Sequence, residues 1–141
     1  MNLITRDELR EKLERGDDFK LVMTHTAWAF DTKHIPRSLH LETVGEALAH
    51  LDPAEEIVIY SAGLYCAASI YAYHALERRG FAWVRRYAGG IADWEEAGHP
   101  LEGGAPEPAA EKRRERRLRR PRSAPAARTP ARFARPWYAC A

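Results

Sequence analysis

The side chains best equipped for covalent chemistry in this 141-residue sequence stand at the two ends of one short run, Ser61-Ala62-Gly63-Leu64-Tyr65-Cys66. Cys66 falls where a helix is expected to begin. A thiolate there is favoured by the helix dipole and by exposed N–H groups, which is where reactive cysteines often occur. The competing reading makes Cys66 a small apolar residue packed in the first helical turn. Ser61 is a far weaker nucleophile, because a hydroxyl ionises much less readily than a thiol. Cys140 is the other cysteine, in a region that looks unrelated to Cys66, so neither a disulfide nor a CxxC site is expected. The six histidines, His25, His34, His40, His50, His74 and His99, lack the spacing of a zinc site, and no metal or cofactor is expected.

A frame must position those groups. Thr5-Arg6-Asp7-Glu8 has the capping-box pattern, Leu9 and Leu13 share a face, and Gly16 stands where a left-handed C-cap would fall, so a helix over about 6–15 is expected. Residues 19–23 read as a strand, 27–32 as a short helix broken by His34-Ile35-Pro36, and 38–41 as a short strand. Val44, Ala47 and Leu48 give 43–50 a helical spacing, closed by the Asp52-Pro53 turn. Residues 56–60 form the clearest buried strand, a continuous run rich in β-branched residues. The short run then leads into a helix over 66–79 ended by Gly80, a strand over 82–87, and a last helix from Gly89-Gly90 through Trp94. Strands and helices in alternation predict a sheet covered by helices. On that frame Tyr65 either shapes a pocket mouth or packs, Ser69 bonds back along its own helix, Trp94 belongs to the core, and His25 and Trp28 stand beside a pocket, with His25 either an anion partner or, as preferred, a histidine satisfied by the backbone.

The length suits one domain with one core. No apolar run approaches the ~20 residues needed to span a bilayer, and the N-terminus lacks the apolar stretch of a secretory signal. A cytoplasmic location without membrane contact is therefore expected. Charge divides the chain more sharply than its total suggests. Residues 103–141 hold eleven Lys/Arg against three Glu, a net of +8, which leaves residues 1–102 at −6. From Gly103 onward the composition is Gly, Pro, Ala and Arg, which cannot bury enough apolar surface to offset the entropy of ordering. The domain is expected over 1–102, followed by a disordered basic tail over 103–141. The run 112–122 could bind phosphate backbones through charge, and Phe133, Trp137 and Tyr138 could stack on bases. A solvated extension with scattered aromatics is the preferred reading of the tail.

The strand Ile57-Val58-Ile59-Tyr60 before a six-residue loop, the helix ending in Gly80-Phe81, the strand Val84–Tyr87, and the stretch from Gly89-Gly90-Ile91-Ala92-Asp93-Trp94 to Pro100-Leu101 resemble the rhodanese-like domains. Lys33-His34-Ile35-Pro36-Arg37-Ser38 is similar to the family's Gly-His-Ile-Pro-Gly-Ala motif, with the central three residues kept. The resemblance covers about residues 3–102. It implies a three-layer α/β domain with a central, mainly parallel sheet flanked by helices. It also implies an anion-binding loop, Ser61, Ala62, Gly63, Leu64, Tyr65, Cys66 and Ala67, whose N–H groups point inward beneath the positive end of the next helix. In active members the first loop residue is a cysteine that takes a sulfane sulfur from a donor and passes it to an acceptor thiol or cyanide. Here that position is Ser61, and a serine forms no persulfide. The family's usual Asp and Arg match Met23 and His25, and the glycines flanking His-Ile-Pro match Lys33 and Arg37. These departures suggest relaxed demands on the pocket.

Three function classes follow. The chain is a catalytically silent rhodanese module that binds a small anion or a protein partner; or a thiosulfate or persulfide sulfurtransferase using Cys66; or a nucleic-acid binder acting through its tail. The first is preferred.

Overall fold

The computed structural model describes residues 1–104 and 136–137. Helix α1 (Arg6–Arg15) starts at the Thr5–Glu8 capping box, in which the Thr5 hydroxyl accepts from Glu8 N–H and the Glu8 carboxylate accepts from Thr5 N–H. It stops at Gly16, whose φ of 70° is open to glycine at little cost. There follow β1 (Lys20–Met23), α2 (Ala27–Thr32), β2 (Ser38–His40), α3 (Val44–His50), β3 (Ile57–Tyr60), α4 (Ala67–Glu77), β4 (Val84–Arg86) and α5 (Gly90–Glu96). A second capping box, Thr43 with Glu46, opens α3.

The four strands form one parallel sheet in the order β2-β1-β3-β4. Parallel strands buried on both faces read as continuous apolar runs, and every residue of β3 is buried. Side chains alternate between two cores. Val22, Ile57, Ile59 and Val84 join α3 and α4 on one face. Leu21, Met23, Val58 and Tyr60 join Leu9 of α1 and Ile91 and Trp94 of α5 on the other, with Ala29 and Phe30 of α2 packed against them. This is the expected three-layer arrangement, and Trp94 is a core residue as anticipated.

The chain runs outward from β1 to β2 and returns to β3, so the switch in strand order falls between β1 and β3. Open α/β sheets hold their sites at the carboxyl ends of such strands. Here those ends are tied together: Thr24 N–H donates to Tyr60 O at 3.0 Å, and the Tyr60 hydroxyl accepts from Ile35 N–H at 3.0 Å and lies 2.6 Å from Ser38 Oγ. Burial pushes the Tyr60 phenol up to about 12.

Arg37 stands where the resemblance expects glycine, yet it keeps the backbone that glycine would adopt, with φ 68°. Its guanidinium donates to Asp17 O and lies over the Phe19 ring. At that turn an arginine holds the left-handed backbone conformation that ordinarily favours glycine. The expected disorder of the tail falls on residues 105–135 and 138–141, which lie outside the described residues. Ordered contacts run past Glu102, which pairs with His34, to Gly104, whose N–H donates to Asp31 O. Trp137, read as a scattered tail residue, is instead buried in the core beside α3 and α4. Among the described residues no helix is long and apolar enough to cross a membrane.

Candidate functional site

The loop after β3 is anchored from both sides of the sheet. On the α5 side, Ile91 N–H donates to Ser61 O at 3.1 Å and Ala92 N–H to Ala62 O at 3.0 Å. Gly90 makes that approach possible: its φ is 61°, and a Cβ there would lie 2.4 Å from Ser61 O and 2.8 Å from Gly63 N. In trans peptides the N–H points opposite to the C=O. The Ala62 and Gly63 N–H groups therefore face away from α5. The N–H groups of Ala62, Gly63, Leu64 and Tyr65 donate to no acceptor among the described residues, whereas Cys66 N–H turns back to Gly63 O at 3.1 Å.

On the α4 side the loop covers a polar network. Ser61 is 1% exposed, and its hydroxyl donates to Ser69 Oγ at 3.2 Å. Ser69 Oγ also accepts from Arg86 Nε at 2.9 Å, and Arg86 Nη2 reaches Leu64 O at 3.5 Å. Ser69, expected to bond back along its helix, is instead the hub of this network. Arg86 pairs with Ile59 in the sheet register and shares the face of Val84, which aims it at α4 beneath the loop. It is 5% exposed and makes no ion pair with a carboxylate among the described residues. Burial lowers the pKa of its guanidinium, while the charge of nearby Cys66 opposes that shift. Sequence reading missed Arg86. The available signal, a charged residue in step with the apolar positions of a strand, fits Arg85, in step with Trp83 and Tyr87, as well as Arg86.

Cys66 is a free thiol at the N-cap position of α4, partly buried against the α3–α4 core. With Ala62–Tyr65 it lines a shallow hollow whose other wall is Gly89, Ala92, Asp93 and Glu96. Asp93 is already engaged, bonded to Arg6 at 2.9 Å and to the Tyr87 hydroxyl at 2.5 Å. Tyr65 is 97% exposed at the mouth, so it neither packs nor closes the hollow. His25 and Trp28 are not part of its lining. His25 lies half-buried beyond β1, its Nδ1 accepting from Thr26 N–H and its carbonyl accepting from His40 Nε2. Trp28 stands exposed on α2. Among the described residues no group of three or more His, Cys, Asp or Glu side chains is placed to hold a metal ion.

The family model for the rhodanese-like domain matches residues 5–97. The chain belongs to the rhodanese-like domain family. Solved rhodanese-like domains superpose on it: that of the Alr3790 protein from Anabaena has a TM-score of 0.65 at 24% identity, covering 94% of each chain. A rhodanese-like domain protein from Staphylococcus aureus has a TM-score of 0.63 at 26% identity, covering 74% of this chain and 99% of that one. A thiosulfate sulfurtransferase from Pseudomonas aeruginosa shares the fold, at TM-score 0.64 and 21% identity over 74% of this chain and 20% of its own. In sequence, this rhodanese-like chain is 31% identical over 105 residues to an HTH-type transcriptional regulator of Mycobacterium tuberculosis, covering 73% of this chain and 46% of the relative. The chain thus matches less than half the length of that relative.

Proposed function

We propose that this rhodanese-like domain is a binding module for a small oxyanion, or for an anionic group on a protein partner, with sulfur transfer through the first loop position given up. One observation carries the reading: Arg86, a buried cation with no carboxylate partner among the described residues, lies beneath a loop whose successive amides at 62–65 meet no acceptor among them. A buried charge of that kind is stabilised by an anion, and oriented amides supply neutral donors for one. Ser61 supports the loss of turnover. Its hydroxyl is enclosed and committed to Ser69, and an oxygen at that place carries no persulfide. A module that binds without turning over also suits a regulatory protein, and the Mycobacterium tuberculosis relative is an HTH-type transcriptional regulator.

A second reading rests on Cys66, which borders the hollow and lies near Arg86. Its thiolate would attack the outer sulfur of thiosulfate; the new S–S bond forms as the donor S–S bond breaks, and the electron pair leaves with sulfite. An acceptor thiolate would then take the sulfur and release Cys66.

Thiosulfate turnover by wild type, Cys66→Ser and Ser61→Cys, with calorimetric titration of sulfite, thiosulfate and phosphate, separates the two. Binding without turnover in wild type is expected, together with gained turnover in Ser61→Cys. Turnover in wild type that disappears in Cys66→Ser would replace the module reading with the second one.

A further inference from the structure

Pro136 and Trp137 lie about forty residues beyond the end of the family match, yet they are bonded to the segment that follows the edge strand β2. Thr43 and Pro136 form an antiparallel bridge, Trp137 N–H donates to Glu42 O at 3.1 Å, and the indole Nε1–H donates to Leu41 O at 2.7 Å. Leu41 prolongs the edge strand β2, its own N–H reaching Met23 O. The indole is 2% exposed, meets the edge of Tyr71 of α4 at 5.7 Å between centroids, and joins the core of Leu41, Val44, Ala68 and Ala72.

These contacts share with strand addition a main-chain bond beside a sheet edge and a pocket for one side chain, although the pairing is a single bridge at Pro136 and the backbone turns into 3-10 conformation at Trp137. A proline is tolerated at such an edge because the N–H it lacks would have faced outward, and Trp137 supplies the main-chain donor that remains. We propose that the 41–43 segment, α3 and α4 form a peptide-docking slot for a proline–tryptophan segment, occupied in cis by the chain's own residues 136–137. Among the described residues the occupant is Pro136 and Trp137, which 31 positions separate from Gly104, so the pair is a ligand by its geometry as much as it is part of the core. A covalent connection gives such a segment an effective concentration on the order of millimolar. A free peptide should therefore enter only when the cis occupant is removed or outnumbered. The α4 wall of the slot begins directly after loop 61–66, and Cys66 packs against the same core, but peptide binding is read without any anion, so its test is distinguishable from that of the anion-binding reading.

The test uses the full chain, wild type and Trp137→Ala, with a labelled synthetic peptide of residues 131–139 followed by fluorescence anisotropy. The peptide should bind Trp137→Ala at least about tenfold more tightly than wild type, in proportion to the lost competition, and a peptide carrying Trp137→Ala should bind neither. Equal binding to both proteins, or to neither, overturns the proposal. Should Trp137→Ala not fold, isotope-labelled wild type is titrated with unlabelled peptide to several millimolar. The Trp137 indole N–H resonance should move to its free position as the peptide displaces it, and an unmoved resonance overturns the proposal.

Discussion

A guanidinium as enclosed as that of Arg86 has given up most of its hydration, and two hydrogen bonds to neutral oxygens return only part of it. Replacing it with methionine removes the charge while keeping the shape of the stem. Arg86→Met should therefore change stability by no more than about 1–2 kcal/mol in urea titrations, yet weaken oxyanion binding by at least about tenfold, or ~1.4 kcal/mol. Arg86→Glu, which buries an unpaired carboxylate beneath the loop, should cost about 3–5 kcal/mol. If both variants bind oxyanions like wild type, Arg86 is a packing residue and the module reading loses its main support. His25 offers a pH test. Burial, then the charge of His40, holds its imidazole below the ordinary value of 6.5. The native state thus takes up that proton less readily than the unfolded chain, so its contribution is complete above the ordinary value and is lost as pH falls below it. His25→Asn, which keeps an acceptor for Thr26 N–H, should lose less stability than wild type between about pH 7.5 and about pH 5.5. Parallel stability curves would exclude His25 as the titrating group. Ser61 and Cys66 were legible because residue type announces chemistry. Arg86 was not, because Arg85 and Arg86 are adjacent and only the sheet register decides which of them turns inward.

At the scale of elements, the site depends on how closely α5 approaches the loop after β3. Gly90→Ala combines a left-handed residue with a Cβ driven against backbone atoms of Ser61 and Gly63. It should cost roughly 2–4 kcal/mol and abolish oxyanion binding, because the loop must move for the chain to close. Gly16→Ala isolates the first of these effects, since it has a comparable φ of 70° and open space around it; it should cost only about 1 kcal/mol and leave binding unchanged. Equal losses in the two variants would mean that the loop yields without strain. The helix ends were readable wherever a side chain caps them, as at Thr5, Glu8 and Gly16. At α5, which continues past Trp94 to Glu96, the end is marked instead by Gly98, left-handed at φ 76° just beyond the C-cap Ala97. β4 is shorter than its apolar and aromatic run suggested, since pairing with β3 extends only from Val84 to Arg86.

The molecule as a whole closes its α3–α4 face with a residue that composition assigns to the tail. Compositional reasoning averages over many residues, and one tryptophan among Arg, Pro and Ala barely alters the average, although docking needs only two residues in the right place. The split between a domain of −6 and a segment of +8 therefore marks a real change of character near Gly103 without marking the end of the core. The two faces of the sheet are unequal in this respect: Trp94 covers one from within the family match, and Trp137 covers the other from beyond it. Truncating a buried tryptophan to alanine generally costs about 3–5 kcal/mol. At Trp137 the loss is reduced because the unseated segment regains its conformational freedom, whose closure entropy grows only slowly with length. Trp137→Ala should therefore lower the midpoint of thermal unfolding by roughly 8–15 °C, corresponding to ~2–4 kcal/mol for a domain of this size. Trp137→Phe, which fills much of the pocket but cannot donate to Leu41 O, should lose about half as much, with near 1 kcal/mol set by the missing hydrogen bond. An unchanged midpoint in Trp137→Ala, read by calorimetry or circular dichroism, would show that the α3–α4 core is complete without the segment.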